Sequence, residues 1–135
     1  MNGRFQIALH ILTLLSHKEG QLLSSDYIAG SVNANPALIR KELAVLNKAG
    51  LVSSKGGKTG GYAIGKAAKS IKLADIYQAI NQQSIMGIAK NIPNPDCPVG
   101  KQINQNINEL YAEIDSAMLA KLGSVTLADF VKKFS

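Results

Sequence analysis

The sequence is poor in cysteine, in long apolar runs and in clustered carboxylates, and each shortage excludes a class of protein. A single cysteine among 135 residues cannot form an internal disulfide, and with no export signal we expect the chain in a reducing cytoplasm. His10 and Thr13 interrupt the apolar run from Ile7 to Leu15, which favours a buried helix over a signal peptide. No apolar segment is long enough to cross a bilayer. The carboxylates are few and scattered, and no Ser-His-Asp or Cys-His pairing is apparent, so we do not expect an enzyme.

Basic residues are concentrated in the first half of the chain. The net charge is +6, and residues 1–72 hold ten Lys and Arg against three Asp and Glu, whereas residues 73–135 hold five against six. This asymmetry favours a polyanion-binding surface in the first half, although charge alone is also compatible with an ordinary basic surface.

The segment from residue 24 to residue 50 is typical of two short helices joined by a tight turn. Two serines and an aspartate open a first helix that ends near residue 31, because their oxygens suit the unpaired N–H groups of a helix start. Asn35 as N-cap and Pro36 at the first helical position open a second helix, which Gly50 terminates after residue 48.

The second of these helices has the features of a recognition helix. Ile39, Leu43 and Leu46 recur at helical spacing and are expected to face the core. Near the outward N-terminal end lie Asn35, Ala37, Arg40 and Lys41. Cations at that end suit base reading in the major groove.

A glycine-rich β-hairpin is predicted to follow. β-prone runs at 51–54 and 61–64 flank residues 55–60, a flexible tip that carries Lys55 and Lys58. A glycine-rich loop could instead cradle a nucleotide phosphate, but the G-x-x-x-x-G-K-[ST] spacing is missing and no helix follows directly. We therefore interpret the hairpin as the wing of a winged helix.

The longest periodic segment predicts a helix from Pro98 to Leu122. Such a helix is about 37 Å long, which exceeds what a compact domain of this size readily covers, so a second protomer is the natural partner for its apolar seam. A helix folded back on its own domain is the alternative. The candidate interface residues are Ile103, Ile107, Leu110, Ile114, Met118 and Leu122. Gly123 ends this helix, and a capping-box spacing from Thr126 to Asp129 begins a last helix that reaches Phe134.

The remaining segments complete a fold that is mainly α with a small β-hairpin. Residues 4–16 predict a helix that is apolar around most of its circumference, which favours burial on both sides and a subunit interface. Residues 73–81 predict a short amphipathic helix, and X-Pro steps make residues 82–97 loop-like. The predicted organisation is a winged helix-turn-helix domain at 1–81, a loop with Cys97 at 82–97, and a long dimerisation helix with a short terminal helix at 98–135.

Three motifs resemble the Rrf2 family of winged-helix regulators, which includes iron–sulfur, nitric-oxide and cysteine-metabolism sensors. They are AGLVSS at 49–54, G-x-x-G-G-Y at 57–62 and LADI at 73–76, and the resemblance extends over nearly the whole chain. It implies a homodimer that places two recognition helices in successive major grooves and wings in the minor groove, usually for repression.

The resemblance also implies which residues contact DNA. The candidates are Ser25, Asn35, Ala37, Arg40, Lys41, Lys55, Lys58, Gly60, Gly61 and Tyr62. Many family members carry arginine before the first wing glycine, where this chain has Gly56, so minor-groove insertion would pass to Lys55 or Lys58. Because Arg40 and Lys41 replace an acid and an amide of the iron–sulfur regulator, its operator sequence is not transferable.

Iron–sulfur members of the family hold their cluster through cysteines spaced about C-x5-C-x5-C. If Cys97 matches the last of these, Asn91 and Ile85 occupy the other positions, and neither residue binds iron usefully. His10 and His17 have no partner at ligand spacing, so we expect no metal and no cofactor.

Cys97 directly precedes Pro98, and this position predicts that it caps the long helix. The helix dipole favours the thiolate there, whereas Asp96 acts in the opposite direction. Oxidation, including a Cys97–Cys97 bridge across a dimer, would then move the long helix. A passive thiol in a loop is the alternative.

The sequence as a whole favours a cytoplasmic homodimeric repressor that binds double-stranded DNA and responds to oxidants or electrophiles. The alternative is a winged-helix module that binds another regulator or an enzyme without operator binding. The missing wing arginine allows this alternative, and the basic first half opposes it.

Overall fold

Helices dominate the described part of the chain, and a single β-hairpin interrupts them. The computed structural model describes residues 3–80 and 86–134. In chain order its elements are α1 (Arg4–His17), α2 (Ser25–Val32), α3 (Pro36–Lys48), β1 (Val52–Lys55), β2 (Gly61–Ile64), a 3₁₀ turn (Ala68–Ser70), α4 (Leu73–Ile80), α5 (Pro98–Gly123) and α6 (Leu127–Val131). The predicted fold class, mainly α with a two-stranded antiparallel hairpin, is confirmed. Asn81, the predicted end of the fourth helix, and residues 82–85 of the predicted loop, including Ile85, lie outside the described residues.

Side-chain caps fix the start of both helices of the helix-turn-helix. Ser24 Oγ accepts from the N–H of Tyr27 at 3.0 Å, so α2 begins at Ser25, one residue before the predicted start. Asn33 adopts the left-handed conformation, with φ of 59°, in the turn that leads to α3. Three residues therefore separate the end of α2 from the start of α3.

The C-terminal end of α3 explains why β1 starts later than the sequence predicts. Gly50 has φ of 80°, and its N–H donates to the carbonyl of Asn47 at 3.0 Å. The N–H of Leu51 donates to the carbonyl of Leu46 at 3.0 Å, which completes a Schellman motif. Because Leu51 is needed to close the helix, the strand begins at Val52 and extends through Lys55.

The core lies where α1, α3 and α4 meet, and α6 also contributes to it. The predicted core residues of α3, Ile39, Leu43 and Leu46, are all 0% exposed. From α1, Ile11 and Leu12 are equally inaccessible to solvent. One stripe of α1 is therefore fully buried, while Leu9 and Leu14 on its flank are only partly covered.

α6 anchors the C-terminal end of α5 to the core. The Thr126–Asp129 capping box is present, as predicted, although α6 ends at Val131. The N–H of Leu127 donates to the carbonyl of Ile71 at 2.7 Å, and the Leu127 side chain is fully buried. Among the helices at 3–80 and 86–134, none has the length and apolarity needed to cross a membrane.

Candidate nucleic-acid interface

The outward face of α3 carries the side chains that the sequence assigns to base reading. Arg40 and Lys41 are exposed, and so are Asn35 and Ala37 at the start of the helix. Since the opposite face is buried in the core, α3 itself is held in place and these side chains extend from its outer face. Base edges in the major groove are read by side chains on the exposed face of a helix, and Arg and Lys pair with guanine.

Capping restricts what Asn35 is able to contact. Its Oδ1 accepts from the N–H of Ala37 at 2.7 Å. One lone pair of the carboxamide oxygen is therefore used by the helix, and the Nδ2 group is available to donate to a base or a phosphate. The partial positive charge of the α3 N-terminus lies at the same place and favours a phosphate there.

A buried acid that sequence reasoning missed holds α3 against α1. Glu42 is only 1% exposed, and Arg4 Nε lies 3.2 Å from each of its carboxylate oxygens. Glu42 shares the helical spacing of Ile39 and Leu43, so the periodicity of α3 already carries a signal for its burial. Arg4 therefore pairs with an internal carboxylate, although it belongs to the basic first half of the chain.

The wing is tied to the helix-turn-helix at its base. Leu23, just before α2, and Tyr62 on β2 exchange two backbone hydrogen bonds of 2.9 and 2.8 Å. Asn47 Nδ2 donates to Ser54 Oγ at 3.2 Å, which links the end of α3 to β1. These contacts fix the hairpin relative to α2 and α3.

The two wing lysines occupy different positions. Lys55 was predicted in the flexible tip, but it is the last residue of β1 and pairs with Gly61. The ladder extends one residue further than expected because a Cβ-free Gly60 lets the returning chain pass close to the Lys55 carbonyl. Lys58 lies in the tip, and both side chains are exposed.

A cavity of about 370 Å³ brings several of the predicted residues together. It lies between the start of α2 and the base of the wing. Its walls include Ser24, Ser25, Ser54, Lys55, Gly56, Gly57, Gly60, Gly61 and Tyr62. This lining suits a phosphate group, because it offers hydroxyl groups, backbone N–H groups and one lysine, and it includes no carboxylate. Lys58 and the α3 residues do not line this cavity.

The apolar face of α5 has little cover within the chain. None of its residues is buried, and Leu110 is 49% exposed. Of the six predicted interface residues, Ile103 and Leu110 are exposed, while Ile107, Ile114, Met118 and Leu122 are partly covered. Exposed apolar residues that cluster on one face in this way are typical of interaction surfaces.

Cys97 occupies the N-cap position of α5, as predicted, and its side chain is exposed. The backbone N–H groups of Gly100 and Val99 face the sulfur from the first turn and lower the pKa of the thiol, although neither reaches hydrogen-bond geometry. The thiolate is thus favoured relative to an ordinary cysteine.

The residues present do not fit an iron–sulfur cluster. The sequence contains one cysteine, and in the described ranges no three His, Cys, Asp or Glu side chains lie close enough together to hold a metal ion. Iron–sulfur clusters need several thiolate or imidazole ligands, so no step of the function is assigned to such a group.

Comparison with known proteins identifies relatives along the whole chain. The family model Rrf2, described as an iron-dependent transcriptional regulator, matches residues 1–133. The HTH-type transcriptional regulator YwnA of Bacillus subtilis is 36% identical over 129 residues, which cover 96% of this chain and 95% of YwnA.

Two solved structures have the same fold. CymR, the global cysteine regulator of B. subtilis, is 26% identical with a TM-score of 0.74, over all of this chain and 98% of CymR. The oxidized form of Staphylococcus aureus CymR is also 26% identical, with a TM-score of 0.67, over 96% of this chain and 94% of that protein. These relatives are transcriptional regulators and not enzymes. With its winged helix-turn-helix and its full-length family match, the chain belongs to the Rrf2 family of DNA-binding transcriptional regulators.

Proposed function

We propose that this protein represses transcription as a homodimer bound to an operator in double-stranded DNA. The observation that carries the proposal is the exposed Arg40 and Lys41 pair on α3, whose opposite face is fully buried. Arginine reads guanine edges through paired hydrogen bonds. Lys41 and the wing lysines supply charge for the phosphates.

The cavity beside the wing gives the proposal a second contact point. Ser25 and Lys55 line it together with the backbone of Gly60 and Gly61. A DNA phosphate in this position would receive hydroxyl, ammonium and N–H donors at once. Lys58, further out on the tip, would then reach the adjacent minor groove.

The uncovered face of α5 supports the homodimer. Pairing two copies of α5 would bury Ile103 and Leu110 and would set the distance between two recognition helices. Leu110→Lys is expected to yield monomers in light scattering, whereas Glu109→Lys, at an exposed neighbouring position, should leave the dimer intact. Monomers of the parent protein at micromolar concentration would contradict the proposal.

Operator binding is tested by fluorescence anisotropy on the DNA upstream of the protein's own gene. If six to ten phosphates are contacted, affinity is expected to fall about 10³- to 10⁵-fold between 50 and 200 mM salt. Arg40→Ala should relax base specificity, and Lys58→Ala should weaken all sequences more evenly. Salt-insensitive binding, or none to any duplex, would refute operator binding and favour a protein partner.

Oxidation of Cys97 is the proposed input to the repressor. Its exposure and lowered pKa support this role, and a relative is known in an oxidized form. Two Cys97 thiols, one from each protomer, would lose two electrons and two protons to hydrogen peroxide, forming one disulfide and two waters. Peroxide is expected to weaken operator binding by the parent protein but not by Cys97→Ser. Equal loss of operator binding in both proteins would exclude Cys97 as the residue that responds to peroxide.

A further inference from the structure

Four exposed residues of α3 form a row on the side of the helix opposite its buried residues. Their intervals of four, three and four positions each correspond to about one turn of helix, so the four side chains point the same way. The row consists of Ala37, Lys41, Ala44 and Lys48. At about 100° per residue, it lies roughly opposite the mean direction of Ile39, Leu43 and Leu46. This row is therefore the part of α3 that projects furthest from the core.

The two alanines of the row present only methyl groups at a surface that is otherwise cationic. The other two members of the row are lysines, Arg40 flanks it, and Glu42, the one carboxylate within Pro36–Lys48, is buried. An alanine side chain neither donates nor accepts a hydrogen bond, so it does not read the polar groups of a base edge. In the major groove, the apolar group open to such a side chain is the C5-methyl group of thymine.

The spacing of the alanines matches the spacing of base pairs. Ala37 and Ala44 are separated by about 10.5 Å along the helix axis, which corresponds to roughly three base-pair steps of about 3.4 Å each. Because both side chains are short, the helix backbone is able to approach the bases closely at these two points. Arg40 and Lys41 lie between them in the chain and are long enough to reach the base pairs in the middle.

We propose that Ala37 and Ala44 determine base specificity by contacting the methyl groups of two thymines in each half of the operator. The inference deepens the proposed function and rests on it, since it requires α3 to enter the major groove. Arg40 and Lys41 select guanine through its O6 and N7 acceptors. Each half of the operator therefore contains two thymines, on either strand and about three base pairs apart, that flank at least one guanine.

The test replaces thymine with uracil, which pairs with adenine in the same way and lacks only the C5-methyl group. The starting duplex is obtained by selecting sequences that the full chain binds from a random pool. Each thymine in one half of that duplex is then replaced in turn, and the Kd is measured by fluorescence anisotropy at fixed salt. Replacement of either contacted thymine should weaken binding about 3- to 10-fold, the effect of one buried methyl group, and other positions should change it less than about twofold.

Glycine variants assign each thymine to one alanine. Ala44→Gly removes the contacting methyl group from the protein, so it should bind the thymine and uracil forms of one position equally, and Ala37→Gly should do the same at the other position. Each comparison is a ratio of two affinities of the same variant, so a loss of helix stability caused by the glycine cancels. Ala112→Gly, the same change at an exposed position of α5, is the matched control and should retain both uracil effects.

Three other outcomes decide against the inference. If uracil is tolerated at every position of a duplex that the parent protein binds specifically, no thymine methyl group is read, and the inference is wrong while the proposed function stands. If the uracil effects persist unchanged in Ala37→Gly and Ala44→Gly, other residues make these contacts. Binding without sequence preference, or no binding to any duplex, would overturn the proposed function and this inference together.

Discussion

Removing the partner of the buried Glu42 is the sharpest test of how α3 is held. Glu42 has 2% of its side chain exposed and Arg4 has 37%, with 3.2 Å between them. In Arg4→Met the carboxylate stays in the core without its cation. Fully buried pairs lose about 3–5 kcal/mol on such a change, and exposed pairs about 0–1 kcal/mol. Because water reaches the arginine, we expect an intermediate loss of about 2 kcal/mol.

Thermal unfolding measures this loss directly. For a chain of this size, 2 kcal/mol corresponds to a fall in Tm of about 8 °C. Arg4→Met with Glu42→Met removes both charges and should recover most of the fall, since a buried pair can be replaced by apolar side chains at little cost. Arg40→Met is the matched control on the solvent face of α3, and it should change Tm by about 2 °C or less.

The double-mutant cycle gives two results that would refute a stabilising role of Arg4 for the buried Glu42. If Arg4→Met unfolds within about 2 °C of the parent, Arg4 does not hold Glu42 in the core, and the anchoring of α3 has to come from its apolar contacts alone. A double variant that is as unstable as Arg4→Met would likewise show that the loss comes from packing of the arginine stem and not from the stranded charge.

Three further predictions concern the wing, the last helix and the cysteine. Gly60→Ala places a Cβ against the backbone carbonyl of Lys55 and should cost about 1–3 kcal/mol. Gly56→Ala meets nothing within 4 Å and should cost about 0.5 kcal/mol or less, so equal denaturation midpoints for the two variants would contradict this prediction. The N–H of Thr126 donates to the Asp129 carboxylate and lowers the pKa of that carboxyl. The hydrogen bond therefore stabilises the folded protein above the ordinary pKa of aspartate, and this stabilisation is lost as the pH falls through the lowered pKa. Asp129→Asn should therefore flatten the dependence of Tm on pH between about pH 5 and pH 2. An unchanged slope would show that the Asp129 carboxylate does not stabilise the fold. The lowered pKa of Cys97 predicts that alkylation by iodoacetamide accelerates at a lower pH in the folded protein than in urea; coincident profiles would exclude any effect of the fold on the thiol.

Local signals in the sequence were sufficient for the recognition helix. Asn35, Pro36 and Gly50 each act on their immediate neighbours, and both ends of α3 fall where these residues predict. The outward position of Arg40 followed from the helical spacing of its apolar neighbours. The strand β1 starts one residue later than predicted, because Leu51 donates the hydrogen bond that closes α3 despite its β-propensity.

Features that depend on distant parts of the chain were not predictable in the same way. Arg4 and Glu42 are 38 positions apart, so their pairing requires knowledge of how α1 packs on α3. A cavity on the side of α1 is lined both by Thr13 and by Phe134, which come from opposite ends of the chain. Neither residue belongs to a motif, and only folding brings them to one surface.

Because α6 attaches the C-terminal end of α5 to the core, α5 acts as a lever arm. Its C-terminal end is fixed, because the segment that follows is bonded to the backbone beside α4 and Leu127 is fully buried. Its other end carries Cys97, which lies about 39 Å away along a helix of 26 residues. A tilt of about 5° at the fixed end displaces the cysteine end by roughly 3 Å on this geometry. If Cys97 is oxidised as proposed, a displacement of a few ångströms at that end of α5 would rotate the N-terminal helices and the hairpin by a few degrees.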